Sequence, residues 1–195
     1  MGYYKFTTKQ RVKANNHLES LVSKNGSSYA ISDLKKKIKQ YRQKEKEILK
    51  KVQSIISKDE KLLKGYNNIK SLTGIGEIGA IVLLHLFIKY PNANRNQIVS
   101  LTGLDPTDKS SGTSLKTRPK ISKTGSKLYR GSLFLGVMTA IRYDENFKSF
   151  FERLVSNGKH TTVAQIAVMR KMLLHMIVSF TKELQGNKLY KNLIL

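Results

Sequence analysis

Ile69-Lys70-Ser71-Leu72-Thr73-Gly74-Ile75-Gly76-Glu77-Ile78-Gly79-Ala80, followed by the apolar run 81–88, is the stretch on which the fold of this chain turns. An apolar-Gly-apolar-Gly turn between two helical patterns is the signature of a helix-hairpin-helix element. Ile75 is expected to plug the hairpin from inside, and Gly79-Ala80 to let the two helices pack closely. Without side chains, Gly74 and Gly76 would let backbone N–H groups at the start of the second helix meet a phosphate, aided by the helix dipole. Lys70 would add a charge. The same glycines serve a tight αα turn that holds no ligand equally well.

Upstream of the hairpin, Ile31, Leu34, Ile38, Tyr41, Ile48, Val52, Ile55 and Leu62 fall on alternating steps of three and four, with Glu45 and Asp59 in the two polar gaps. Such a stripe supports a coiled coil or a helical hairpin, and the former would make a stalk joining copies of the chain. Ser32 or Asp33 would cap its start. A shorter helix is expected over 7–22, ended by Asn25-Gly26-Ser27-Ser28. Downstream, 128–141 and 161–184 read as apolar helices with Met138, Met169, Met172, Met176 and Phe180 in the core. Asp144-Glu145 reads as a helix cap. The expected fold is therefore all-α. A basic helical arm over 1–64 precedes a bundle of five to seven helices over 65–186, and a tail covers 187–195.

Charge narrows the function. Of 195 residues, 36 are Lys or Arg and 13 are Asp or Glu, a formal net charge of +23. Self-repulsion of that size calls for an anionic partner. Nucleic acid leads, because each cation set on a phosphate releases a condensed counterion. An anionic membrane surface comes second and a ribosomal or chaperone role third. Residues 1–70 carry 18 basic and 6 acidic side chains, and 113–130 carry 6 basic and none acidic, while 71–112 are balanced at 3 and 3. The charge thus sits in the arm and in one loop. There are no cysteines, which excludes disulfides and thiolate zinc sites and suits a reducing compartment. The apolar runs 78–88 and 172–180 are too short to span a bilayer, and no secretory signal is visible. The reading is a cytoplasmic protein without a membrane partner.

Leu101-Thr102-Gly103-Leu104-Asp105-Pro106 ends a short helix and opens a long loop, 107–127, rich in Ser, Thr, Gly and Lys. A loop of this length inside a compact domain is functional or disordered, and its basic half suits docking on phosphates. No Ser-His-Asp arrangement accompanies its serines. His17, His85, His160 and His175 are scattered, and His85 and His175 lie in apolar helices where packing roles are expected. Arg170-Lys171 would extend the phosphate track.

The order of these pieces resembles the C-terminal domain of the Piv-type insertion-sequence transposases, a family that includes bridge-RNA-guided DNA recombinases. The resemblance runs through 72–180. It takes in Leu72-Thr73-Gly74-Ile75-Gly76-Glu77, then Gly103-Leu104-Asp105-Pro106, then Ser111-Gly112 five and six residues after that proline. Lys120-Ile121-Ser122-Lys123-Thr124-Gly125, Leu128-Tyr129-Arg130, Phe150-Phe151-Glu152-Arg153-Leu154 and Val163-Ala164-Gln165-Ile166-Ala167-Val168-Met169-Arg170-Lys171 follow in order. The basic arm is similar to the family's linker between its two domains.

The resemblance implies a serine oxygen that attacks a DNA phosphodiester and leaves a phosphoserine link with a free 3′-hydroxyl. By position Ser111 is the nucleophile, with its neighbour Ser110 as the alternative. Arg118, Lys120, Lys123 and Arg130 would hold the scissile phosphate, and Lys70, Gly74, Gly76 and Lys127 would complete the DNA contacts. The family implies oligomers on DNA, here joined through the arm, and a structured guide RNA. It also implies magnesium, held by the carboxylates of an N-terminal RuvC-like domain. Nothing upstream of Leu72 offers a sheet-borne carboxylate quartet, so no cofactor is expected on this chain itself. Two other readings stand beside this one: a helix-hairpin-helix binding module without chemistry, and a basic coiled-coil scaffold.

Overall fold

The computed structural model describes residues 1–107, 110–111, 115–116 and 120–184, with backbone alone at 110–111, 115–116 and 181–184. The chain divides into two compact units, Met1–Asp59 and Glu60–Leu195. The all-α expectation holds. Eight α-helices and four two-residue strands make up the described elements.

The first unit is a helical hairpin. α1 (Gly2–Ser23) and α2 (Ser28–Ser57) pack against each other, joined by a short turn in which Asn25 takes a positive φ and Gly26 N–H donates to the Leu21 carbonyl. The stripe on α2 is therefore partnered within the chain, with Ile38 only 6% exposed. Its polar gap is an ion pair: Arg11 Nε donates to both carboxylate oxygens of Glu45 at 3.0 and 3.1 Å. Two details of the sequence reading are corrected. α2 begins at Ser28 after an N-cap at Ser27, so Ser32 and Asp33 lie inside it, and Asp33 pairs with Lys37 at 2.8 Å. The stripe also drifts, leaving Ile55 63% exposed while Ile56 is 5% exposed. An α-helix turns every 3.6 residues, so a strict 3.5-residue repeat walks off the buried face. α2 ends at Ser57, and Leu62 belongs to the next helix.

Among the described residues the second unit is a bundle of six helices. α3 (Glu60–Lys70) and α4 (Glu77–Lys89) are joined by the glycine turn, and α5 (Arg95–Thr102) follows. α6 (Lys127–Tyr143), α7 (Glu145–Ser156) and α8 (Thr161–Leu184) complete it. α4 is apolar almost all round and accordingly central, with Ala80, Ile81, Val82, Leu83, Leu84, Leu86 and Phe87 buried. α3 and α6 pack on it, and α8 packs on α3, α6 and α7. Gly65 of α3 admits the Phe180 ring, which lies 5.0 Å from that of Phe87.

Met169, Met172, Met176 and Phe180 are core residues as expected. Met138 is not. It is 44% exposed, on a face of α6 that also exposes Phe134 and Leu135. Asp144 caps α7 as expected, its Oδ1 accepting from the N–H groups of Asn146 and Phe147. Thr161–Phe180 of α8 has the length and mean hydropathy, 1.4, of a membrane-crossing helix. Counting uninterrupted apolar runs overlooked this, because Gln165, Arg170 and Lys171 break the run. Met172, Leu173 and Met176 are fully buried inside the bundle, so α8 serves as a core helix there.

Candidate nucleic-acid interface

The long loop is rooted as a β ribbon. β1 (Pro106–Thr107) pairs antiparallel with β4 (Lys120–Ile121), and β2 (Ser110–Ser111) with β3 (Leu115–Lys116). Ser110 stands opposite Lys116, and Ser111 opposite Leu115. The side chains of 110–111 and the whole of Arg118 lie outside the described residues.

Below the ribbon the two strands continue as a close backbone contact. Ser122 N–H donates to the Asp105 carbonyl at 2.9 Å, Lys123 N–H to Gly103 at 3.2 Å, and Ser126 N–H to Leu101 at 2.8 Å. Gly103 closes α5 in the left-handed conformation, φ +67°. A Cβ on Gly125 would stand 2.3 Å from the Gly103 nitrogen, so the two segments can approach this closely only as glycines. Side chains tie the same root: Ser122 Oγ donates to Asp105 Oδ1 at 2.6 Å, and Thr107 Oγ1 donates to the Lys120 carbonyl at 3.1 Å.

Two arginines clamp the root from outside. Arg130 of α6 donates to the Thr102 carbonyl at 3.0 Å. Arg170 of α8 donates to the Leu104 carbonyl through Nε at 2.6 Å and through its terminal nitrogen. Burial pushes the Arg170 guanidinium down from its ordinary value, opposed by Asp105. Arg170 is thus turned inward to the ribbon root and does not extend an outer phosphate track. Lys171 lies over the Phe150 ring, 4.6 Å from its centre. One Arg130 nitrogen is likewise engaged with the backbone. These anchors escaped the sequence reading because nothing local marks which of many cations faces a carbonyl.

Lys120, Lys123 and Lys127 are exposed and make no ion pair among the described residues. Lys123 holds a positive φ of 56°. Lys120 lies on β4, Lys123 just beyond it, and Lys127 at the start of α6. Lys70 is apart, at the end of α3, where its Nζ is 3.5 Å from Glu77 and 5.8 Å from the Tyr66 ring centre.

In the α3–α4 turn the two glycines have different surroundings. Gly74, φ +92°, is pressed against α6: a Cβ there would stand 2.1 Å from the Gly136 carbonyl oxygen. Gly76, the N-cap of α4, has open space where a Cβ would be, and no side chain caps this helix end. Ile75 plugs the turn at 6% exposure, as expected.

On α4, His85 Nδ1 lies 3.0 Å from the hydroxyl of Tyr129, which is itself 5% exposed. Burial pushes the His85 imidazole down from its ordinary value, with a further contribution from the Lys89 charge. The unfolded ring protonates near its ordinary pKa of about 6.5, and the folded ring only at lower pH. Stability from this site is therefore complete above that pH and declines as pH falls through it. We expect the melting temperature of the native protein to drop more between about pH 7.5 and 5 than that of His85→Gln. Parallel pH profiles for the two proteins would remove His85 from this account.

Residues 66–152 match the family model described as Transposase IS116/IS110/IS902 family. The matched segment takes in the glycine turn, the ribbon with its root, α6 and most of α7. The match supports a transposase family assignment, and with it DNA as a partner. None of the curated proteins compared matches the chain.

Proposed function

We propose that this chain supplies the serine half of a DNA strand-transfer site, with the β ribbon as the element that carries the chemistry. The observation that supports this most is the ribbon's construction. In the sequence, the strand bearing Ser110-Ser111 lies between the two strands of a root held by a glycine contact and two arginine clamps, and exposed Lys120, Lys123 and Lys127 lie at or just after that root. Rigid roots under a reacting group lower the cost of orienting it.

In this reading the Ser111 oxygen attacks a DNA phosphorus. The Ser111 Oγ–P bond forms, the P–O3′ bond breaks, and the departing 3′ oxygen takes up a proton. Strand rejoining is the reverse attack by a 3′-hydroxyl, so the covalent link keeps the bond energy available. Lys120, Lys123 and Arg118 offset charge on the phosphate, and Lys127 and the open Gly76 end of α4 contact the backbone without reading sequence. Gly74 acts in this reading through packing. Among the described residues no group of three or more His, Asp or Glu side chains is placed to hold a metal ion, and this reading takes the magnesium from elsewhere. A RuvC-like domain would supply it. A guide RNA and assembly of several copies on DNA, joined through the arm, belong to the same proposal, as does a cytoplasmic setting.

A covalent adduct tests the reading. Native protein and Ser111→Ala are incubated with labelled DNA and magnesium, alongside a RuvC-like domain from a related enzyme, and run on denaturing gels. An adduct that vanishes in Ser111→Ala and persists in Ser110→Ala is the expected result. An adduct that survives Ser111→Ala would sink the assignment. Salt-sensitive DNA binding with no adduct in any mixture would favour the binding module without chemistry.

A further inference from the structure

A second feature adjoins the ribbon root. A surface pocket of about 720 Å³ opens between the end of α4, the start of α5 and the second strand of the root. Its lining includes Lys89, Tyr90, Asn92, Gln97, Ser100 and Thr124. The pocket is open to solvent along much of its length. Among the described residues no carboxylate lines it. Lys89 Nζ lies over the Tyr90 ring, 5.1 Å from its centre, so a cation already stacks on the aromatic side chain that a base would meet. Gln97 Oε1 is used in the α5 cap, accepting from Asn94 N–H at 2.8 Å, which holds the side chain in place. Gly125, also in the lining, is part of the ribbon root, and exposed Lys123 precedes Thr124 in the chain.

An aromatic ring, a cation beside it, a fixed amide and an absence of acids are together the recognition chemistry of an unpaired nucleotide. The ring stacks on the base, the ammonium meets its phosphate, and the amide reaches the base edge. A free aromatic metabolite would not explain why the pocket shares Thr124 and Gly125 with the root of the basic ribbon. A paired base is hidden in its stack and could not enter. We propose that this pocket receives one unpaired nucleotide of the DNA strand held by the ribbon, stacked against Tyr90. The inference rests on the DNA-binding reading above and deepens it: the ribbon would grip a strand at a place where one base is out of the helix. Extruding a base costs least where the strand is already unpaired, so the pocket would favour interrupted duplexes.

The test uses the full chain and two duplexes of one sequence. One is fully paired, and the other carries a single-nucleotide bulge of fluorescent 2-aminopurine. Native protein should bind the bulged duplex about tenfold more tightly and quench its fluorescence, as expected for one base–aromatic stack. Tyr90→Phe, which keeps the ring, should retain both effects. Tyr90→Ala should lose the preference and the quenching while binding the paired duplex as native protein does, which also shows that it is folded. Equal affinity of native protein for the two duplexes would overturn the pocket and leave DNA binding standing. Retention of preference and quenching by Tyr90→Ala would do the same. Binding to neither duplex would overturn both readings.

Discussion

Replacing Gly74 with alanine is expected to destabilise the second unit by about 4 kcal/mol, a large part of the roughly 5–15 kcal/mol that holds a domain folded. Two costs combine. The backbone holds φ at +92°, where a side chain is strained by about 1–2 kcal/mol. The new Cβ would also stand 2.1 Å from the Gly136 oxygen and 2.9 Å from its carbonyl carbon, both backbone atoms of a core helix that cannot swing aside. The turn must lift off α6, withdrawing Ile75 from its buried seat and loosening the contact of α4 with α6. Gly136→Ala is the informative partner. Its Cβ would meet the tip of the Ile75 side chain at 2.8 Å and the Gly74 oxygen at 3.0 Å, and a methyl tip can rotate. That variant should lose only about 1 kcal/mol. Urea unfolding of both variants decides the matter. Equal losses, or a Gly74→Ala protein as stable as native, would show that the turn is held less tightly than its geometry requires.

Gly125→Ala is the second large effect, expected at about 3 kcal/mol and confined to the ribbon root. Its Cβ would lie 2.3 Å from the Gly103 nitrogen and 2.4 Å from the Leu101 oxygen. The bonds from Ser126 to Leu101 and from Lys123 to Gly103 could then not both survive. Their backbone groups sit beside buried Thr102, Gly103 and Leu104, where a lost hydrogen bond costs about 1–3 kcal/mol. Because the proposed site is carried by this root, the adduct proposed for Ser111 should be lost even where the helices remain folded. Hydrogen exchange separates the cases: amides of Lys123 and Ser126 should exchange quickly in Gly125→Ala while those of α4 stay protected. Native-like protection at Ser126 would contradict the role given to Gly125.

Much of this was legible in the residues. The helical periods of the 31–62 stripe as far as Val52, of 81–88 and of 161–184 come from side-chain spacing, which acts within one element and needs no knowledge of the rest. The same holds for the Asp144 cap, where a carboxylate meets N–H groups two and three residues on. The ribbon was not legible, because two-residue strands carry no periodicity, and the pairing of 106–107 with 120–121 is made across a loop. Met138 was misjudged for a related reason: an apolar residue on a helix shows its period but not which faces of that helix find neighbours.

By itself, then, the sequence determined an all-α chain, the division of its charge between an arm and one loop, and the presence of a glycine turn ahead of an apolar helix. Those properties are local or additive. Only the tertiary structure decided that Gly74 is spent on Gly136 while Gly76 stays open, that Gly103 and Gly125 meet, and that Arg130 and Arg170 turn inward to backbone carbonyls. Each depends on two segments far apart in the chain arriving within hydrogen-bonding or van der Waals distance, and that proximity is a product of how the whole core packs.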